Sequence, residues 1–240
     1  EGPYEKKVIL ETPFGGLGDG VAQGTIFDDP QGNWYGMFFQ DRGGVGRVPH
    51  LMPCTWIDGW PMLGDKDGKV PEIMEKPVQG QERKALTVSD EFDTEALGLC
   101  WQWNHNPVDE AWSLTERAGY MRLKAQKAVS LFDARNTLTQ RMEGPMCEAT
   151  VAIDLRNMKD GDRAGFSAFN SDATLLAIRK TNGRLYLSMD EEKVKLSNDT
   201  KAIREVKQGS LTDEIRLRRP VVYLRIEGDF RPGPTKDIVK

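Results

Sequence analysis

Cysteine and histidine are scarce: three of the first and two of the second in 240 residues. Cys54, Cys100 and Cys147 are odd in number, widely spaced and without a CxxC pair, which argues against a disulfide framework or a structural zinc site. They read instead as small apolar residues on buried strand faces. His50 and His105 lie far apart in sequence, which disfavours a His-rich metal centre and a triad built on a well-placed imidazole. An excess of one charge is missing too. With 33 basic and 37 acidic residues the formal net charge is -4, giving no long-range attraction for nucleic acid or an anionic membrane. No run approaches the roughly 20 apolar residues of a membrane helix. Glu1-Gly2-Pro3-Tyr4 has no basic stretch leading into an apolar core, so no signal peptide is visible there. What remains, 38% hydrophobic and 29% charged, describes an ordinary globular chain with room for one large domain or two modest ones.

Period-2 alternation and turn punctuation dominate, and the fold class they predict is all-β. Val8-Ile9-Leu10 is a short apolar run before the glycine-rich loop Gly15 to Gly20. Thr25-Ile26-Phe27, then Asn33 to Gln40, then Arg47 to Met52 read as strands of an antiparallel meander, the unit of a propeller blade. Asp28-Asp29-Pro30-Gln31-Gly32 and the glycines at 43, 44 and 46 supply the turns, and Trp56 and Trp60 follow. From 65 to 87 the composition turns charged and proline-punctuated, as in a linker. Beyond it, strands are expected at 120–123, 137–141, 147–154, 164–169, 175–180, 184–189 and 221–227, with Asn182-Gly183 as a strong hairpin signal. The charged stretch 193–218 is expected to hold a long excursion or one short helix. The predicted organisation is therefore a blade portion at 1–64, a linker at 65–87 and a sandwich at 88–240.

The densest motif is Phe38-Phe39-Gln40-Asp41-Arg42-Gly43-Gly44-Val45-Gly46-Arg47, followed by Gly59-Trp60-Pro61. An arginine after a Gly-x-Gly loop can stand close to a ligand, because glycine lets backbone approach where a side chain would block it. Its planar fork suits carboxylates or sugar hydroxyls, although a surface arginine beside a hairpin has the same spacing. Together with Ala22-Gln23-Gly24-Thr25-Ile26-Phe27-Asp28 and Trp34-Tyr35, this segment resembles the last blade of the five-bladed propeller of glycoside hydrolase family 43. Ser89-Asp90-Glu91-Phe92, Trp101-Gln102-Trp103-Asn104-His105-Asn106-Pro107, Trp112-Ser113-Leu114, Arg135 to Arg141 and Asp160 to Gly165 resemble the concanavalin A-like (jelly-roll) sandwich appended to many such enzymes. The two matches run in the family's order over most of residues 1–190.

That resemblance implies an enzyme of the β-xylosidase or α-L-arabinofuranosidase type, acting with inversion on xylose- or arabinose-containing plant polysaccharide and secreted or periplasmic. It implies that Arg47 contacts substrate at the rim of the active site, with Gln23 near the propeller axis and Gln40 among the substrate-binding residues. Trp103 and His105 are further candidates, as a stacking ring with a hydrogen-bonding neighbour, or alternatively as core and interface anchors. Asn136, Thr139 and Gln140 face the same choice between a concave binding surface and packing. Ala22 stands where many members carry a histidine that helps hold a water or metal ion, so no metal is carried over and no cofactor is required. Asp90, Glu91 and the Asp160-Gly161-Asp162 turn could offer oxygens to a structural calcium ion. The family's acid–base carboxyls come from upstream blades, and Asp19, Asp28, Asp29 and Asp41 are poor substitutes, so no catalytic residue is assigned. The expected partners are an oligosaccharide or polysaccharide and the upstream propeller segment, with further strands after Asp229-Phe230-Arg231. The alternative is a non-catalytic carbohydrate-binding or accessory sandwich protein.

Overall fold

The computed structural model describes residues 2–11, 20–80, 82, 85, 87–231 and 238–239. The chain forms two compact units, Glu1–Lys84 with Phe230–Asp237 and Ala85–Asp229 with Ile238–Lys240. Among the described residues, no helix is long and apolar enough to cross a membrane.

The first unit is a four-stranded antiparallel meander: β1 (Ala22–Asp28), β2 (Trp34–Asp41), β3 (Arg47–Ile57) and β4 (Trp60–Leu63), paired in sequence order. Each sequence-predicted strand is present, β1 and β3 longer than expected and β2 shifted by one residue, and β4 adds a fourth through the Asp58–Gly59 turn, where both residues have positive φ. Alternation puts Met52, Cys54 and Leu63 on one face as a core, with Ile26, Trp34 and Phe38 packed against it. Gly36 opens that face. A Cβ there would stand 2.6 Å from Leu63 Cδ2, so a larger residue would displace the Leu63 side chain from its packed position. Val8-Ile9-Leu10 is not a strand, yet the Ile9 carbonyl accepts from Leu63 N–H at 3.1 Å and Ile9 and Leu10 pack on the core.

The second unit begins with irregular chain carrying four two-residue strands, β5 (Gln102–Trp103), β6 (Trp112–Ser113), β7 (Arg122–Leu123) and β8 (Leu138–Thr139). They form two small ladders, β5 with β8 and β6 with β7. The sandwich follows. One sheet has the order β10 (Arg163–Phe169), β11 (Ala173–Thr181), β12 (Arg184–Leu196), β13 (Ile203–Ser210), with β14 (Ile215–Leu217) also on β12. The other joins β9 (Met146–Asp154), β15 (Val221–Asp229) and β16 (Ile238–Val239). Leu155, Ile178 and Leu224 centre the core between them, with Val151, Ile153, Leu176, Leu185 and Leu187 around it. The Asn182-Gly183 hairpin is present, with φ of 49° and 70° as a two-residue primed turn requires.

The stretch 193–218 departs from expectation. It is neither helix nor excursion: β12 runs on to Leu196, and β13 and β14 return against it. The reading from sequence stops at Met189 because the next inward positions are acidic. Ser188, Asp190 and Glu192 are buried on one face of β12, where alternating apolar side chains would ordinarily mark the strand. Arg163 on β10 makes that burial tolerable by pairing with both carboxyls. Of the cysteines, Cys54 is buried on β3 and Cys147 half-buried on β9, whereas Cys100 lies outside any strand.

Candidate functional site

One end of the blade gathers the predicted residues of the first unit. Past Asp41 the chain enters the 3₁₀ turn Gly43–Val45, where Gly43 N–H donates to Asp41 Oδ1 at 3.3 Å and Gly46 returns the chain with φ of 88°. Arg47 then opens β3 directly opposite Asp41. Its guanidinium carbon sits 4.5 Å from the centroid of the Phe39 ring, and its Nε is 4.0 Å from Asp41 Oδ2. The side chain is 61% exposed, so these contacts orient an available fork without consuming it.

Gln40 behaves differently. It lies one residue along β2 from Asp41, so its side chain points to the opposite face, where it is fully buried. His50 is on the same buried side of β3, opposite Phe38, and burial together with the charge of Arg42 pushes its imidazole below the usual range. Gln23 is the extra residue of a β-bulge: Ala22 pairs with Phe39 and Gly24 with Phe38, leaving Gln23 between them at φ 51° and exposed. The bulge lies at the blade end that carries Arg47. Sequence alternation does not reveal such a bulge, and His50 is legible only from its period-2 spacing to Met52 and Cys54.

The carboxylates of this unit serve its turns. Asp29 accepts from Gln31 N–H at 2.9 Å, Asn33 N–H at 2.8 Å and Asn33 Nδ2 at 2.9 Å. The Asn33 side chain leads the hydrogen bonds that hold its carboxyl below the usual range, the reverse of what a general acid needs. Asp19 lies outside the described residues.

Trp103 and His105 belong to the second unit. Trp103 is half-buried with its ring centroid 5.3 Å from that of Trp112. The Phe132 carbonyl accepts from Asn104 Nδ2 and from His105 Nε2, both at 2.7 Å, so Nε2 carries a hydrogen. Asn136 Nδ2 donates to the Ala111 and Lys124 carbonyls, Thr139 Oγ1 to the Gln102 carbonyl at 2.9 Å, and Gln140 Nε2 to the Val88 carbonyl at 3.2 Å. These side chains stitch the strand-poor segment together. The acidic turns are similarly occupied: Asp90 accepts from Phe92 N–H and Trp101 Nε1, Asp160 from Gly183 N–H, and Asp162 from Lys159 N–H. Among the described residues, no three His, Cys, Asp or Glu side chains gather in a metal-holding arrangement.

A propeller-blade meander and a two-sheet sandwich in one chain define a class of carbohydrate-active architecture, and comparison with known proteins narrows it. The family described as "Beta xylosidase C-terminal Concanavalin A-like domain", of glycoside hydrolase family 43, matches residues 89–233. The chain belongs to that family. A putative β-xylosidase of Xylanibacter ruminicola is 41% identical over 160 residues, covering 65% of this chain and 30% of its own length. A β-xylosidase of Formosa agariphila is 34% identical over 208 residues, 74% of this chain and 35% of that protein. Among solved structures, a bifunctional family 43 and carbohydrate esterase protein of Bacteroides eggerthii covers 100% of this chain with a TM-score of 0.78 at 35% identity, over 29% of its own chain. A family 43 glycoside hydrolase engineered to display both endo-xylanase and exo-arabinofuranosidase activity covers 95% of this chain with a TM-score of 0.80 at 30% identity, over 45% of its own chain. The fold is thus a portion of a β-propeller followed by a concanavalin A-like β-sandwich, and the chain spans about a third of the length of the curated relatives it matches.

Proposed function

We propose that the chain forms the terminal blade and sandwich of a glycoside hydrolase that cleaves xylosyl or arabinosyl linkages of plant polysaccharide. The observation that carries this reading is Arg47, held exposed over Phe39 and opposite Asp41 at the blade end that also carries the Gln23 bulge. A guanidinium in that setting donates to sugar hydroxyls without needing to find its rotamer on binding. Gln40, buried on the other face, acts by fixing β2 and hence the Phe39 platform. Similarity to β-xylosidases, and to an enzyme described as an α-L-arabinofuranosidase, supports the pentose specificity.

Inversion needs an acid and a base carboxyl roughly 6.5–9.5 Å apart, with room for water. The turn-forming role of Asp29 and the loop-capping role of Asp41 disqualify both, so in this proposal the pair comes from blades outside these 240 residues. The blade's second face supports the same reading. Phe27, Met37 and Ile57 are exposed there, an apolar surface that a neighbouring blade would cover. The test is a substrate panel offered to the polypeptide carrying this chain together with its upstream blades. Release of xylose or arabinose from aryl pentosides, with the inverted anomer seen first by NMR, is expected. Activity confined to hexosides would contradict the assignment, and saccharide binding without any turnover would favour a non-catalytic binding module.

A further inference from the structure

The face of the β10–β14 sheet turned away from the inter-sheet core carries an open cavity of about 240 Å³. Arg163, Arg179, Asp190, Gln208, Gly209 and Ser210 line it. The ladder puts them on one face in two rows: Arg163 pairs with Arg179, and four residues along β12 from the partner of Arg179, Asp190 pairs with Ser210, the two long arginine side chains spanning the gap to Asp190. The residues beneath are already satisfied. Asp190 Oδ1 accepts from the Ser188 and Ser210 hydroxyls at 2.9 and 2.8 Å, and Oδ2 from Arg163 Nη2 at 2.7 Å. Glu192 accepts from Arg163 Nη1 at 2.9 Å and from Leu131 N–H at 2.7 Å.

This arrangement selects a ligand by elimination. Arg163 and Arg179 face three carboxyls, those of Asp190, Glu192 and Glu214, so no positive charge is left over for an anion. A cation would meet two guanidinium groups and carboxyl oxygens already engaged by donors. An apolar group would find no apolar side chain in the lining. What the cavity does offer is hydrogen-bonding capacity of both kinds. Arg179 bonds through Nη2 to Ser188, Asp190, Ser210 and Glu214, which leaves its Nη1 hydrogens as donors. Gln208 donates from Nε2 to the Val129 carbonyl, which leaves its side-chain oxygen as an acceptor. The Ser210 hydroxyl donates to Asp190 and accepts from Arg179 Nη2 at 3.5 Å, which leaves it one lone pair.

We propose that this cavity is a saccharide-binding subsite of the sandwich, taking one sugar ring of a neutral glycan through Arg179, Gln208 and Ser210. Its volume is below the roughly 300–1,000 Å³ of drug-sized sites, which suits a single ring with the rest of the glycan outside. The expectation of pentose glycans rests on the activity proposed above, whereas the preference for a neutral saccharide does not.

The test titrates the 240-residue chain with xylose, arabinose, xylotriose, arabinotriose, cellotriose and, separately, sulfate, following backbone and Arg side-chain NMR signals. At least one saccharide is expected to shift Arg179, Gln208 and Ser210 with millimolar affinity. Gln208→Ala and Arg179→Gln should each weaken it about 5- to 10-fold, while Arg225→Ala on the other sheet leaves it unchanged. Gln208 is exposed, so its variant keeps the fold even if Arg179→Gln does not. Three results overturn the proposal: no shifts with any saccharide at about 50 mM, sulfate shifting these residues in place of the sugars, or saccharide binding that Gln208→Ala leaves intact. Hydrolysis by the intact enzyme without binding here would sink this subsite alone, and binding here without hydrolysis would sink the proposed activity alone.

Discussion

Arg163 Nη2 stands 2.7 Å from Asp190 Oδ2, and the same guanidinium reaches Glu192, so one cation on β10 makes two acids buriable on β12. Arg163→Met removes that cation and leaves Glu192, 2% exposed, with no cation and Asp190 with Arg179 alone at 3.5 Å. The expected loss is about 3 kcal/mol of unfolding free energy, discounted from the upper range because the Arg163 side chain is one-third exposed. Denaturant unfolding with tryptophan fluorescence measures it. Adding Asp190→Asn and Glu192→Gln to Arg163→Met should recover part of the loss, since the uncompensated charge is then gone.

The same network sets a pH dependence. Burial pushes the Asp190 carboxyl up, but hydrogen bonds from Ser210 and Ser188 and the charges of Arg163 and Arg179 outweigh it and hold it below its ordinary value. Asp154 is held down likewise, first by its hydrogen bond from Arg117. A carboxyl depressed in the folded state binds its proton more readily in the unfolded one. Its stabilisation is therefore complete above the unfolded value of 3.8 and is lost as pH falls through the lower folded value. His50, also depressed, favours its neutral form in the fold, so its contribution begins to fall away below pH 6.5. Melting temperature should decline gently from pH 6.5 and steeply below pH 4. In Asp190→Asn the acid limb should be shallower.

Core positions give a contrast in magnitude. Ile178 is fully buried between the two sheets, and Ile178→Ala should cost about 2–5 kcal/mol, as cavities in well-packed cores do. Tyr223, 75% exposed on β15, should change stability by no more than about 0.5 kcal/mol as Tyr223→Ala. Equal costs at the two positions would mean that the sheet faces are assigned the wrong way round.

Arg47 separates function from folding. Its exposed ion pair with Asp41 at 4.0 Å contributes little to stability, so Arg47→Ala should leave the unfolding midpoint in place. In the polypeptide carrying the upstream blades, the same change should lower kcat/KM on aryl pentosides by about 10- to 100-fold, the loss of charge-assisted bonds to sugar hydroxyls. Arg47→Lys should restore only part of it, because a point charge cannot reproduce the planar fork.

Much of the fold was legible because its signals are local. Asn182-Gly183 dictates a primed turn whatever surrounds it, and the apolar alternation of β2 and β3 announces a sheet with one packed face. The misreading of 193–218 came from a partner distant in sequence. Asp190 and Glu192 look like solvated charge until Arg163, about thirty residues earlier, is brought beside them by the β10–β11–β12 ladder. The candidate site divided along the same line. Arg47 was readable from the glycine turn before it, whereas the opposite facing of Gln40 and the bulge at Gln23 depend on register, which residue types alone do not fix.

In the proposed function these 240 residues bear the rim and support of a pentoside hydrolase, and its acid and base are contributed from elsewhere in the polypeptide. The most direct measurement compares turnover of aryl β-xyloside and aryl α-L-arabinofuranoside by this chain and by the longer polypeptide with the upstream blades. The account predicts turnover by the longer protein and none above buffer by the 240-residue chain. Hydrolysis by this chain alone, at a rate approaching that of the longer protein, would contradict it.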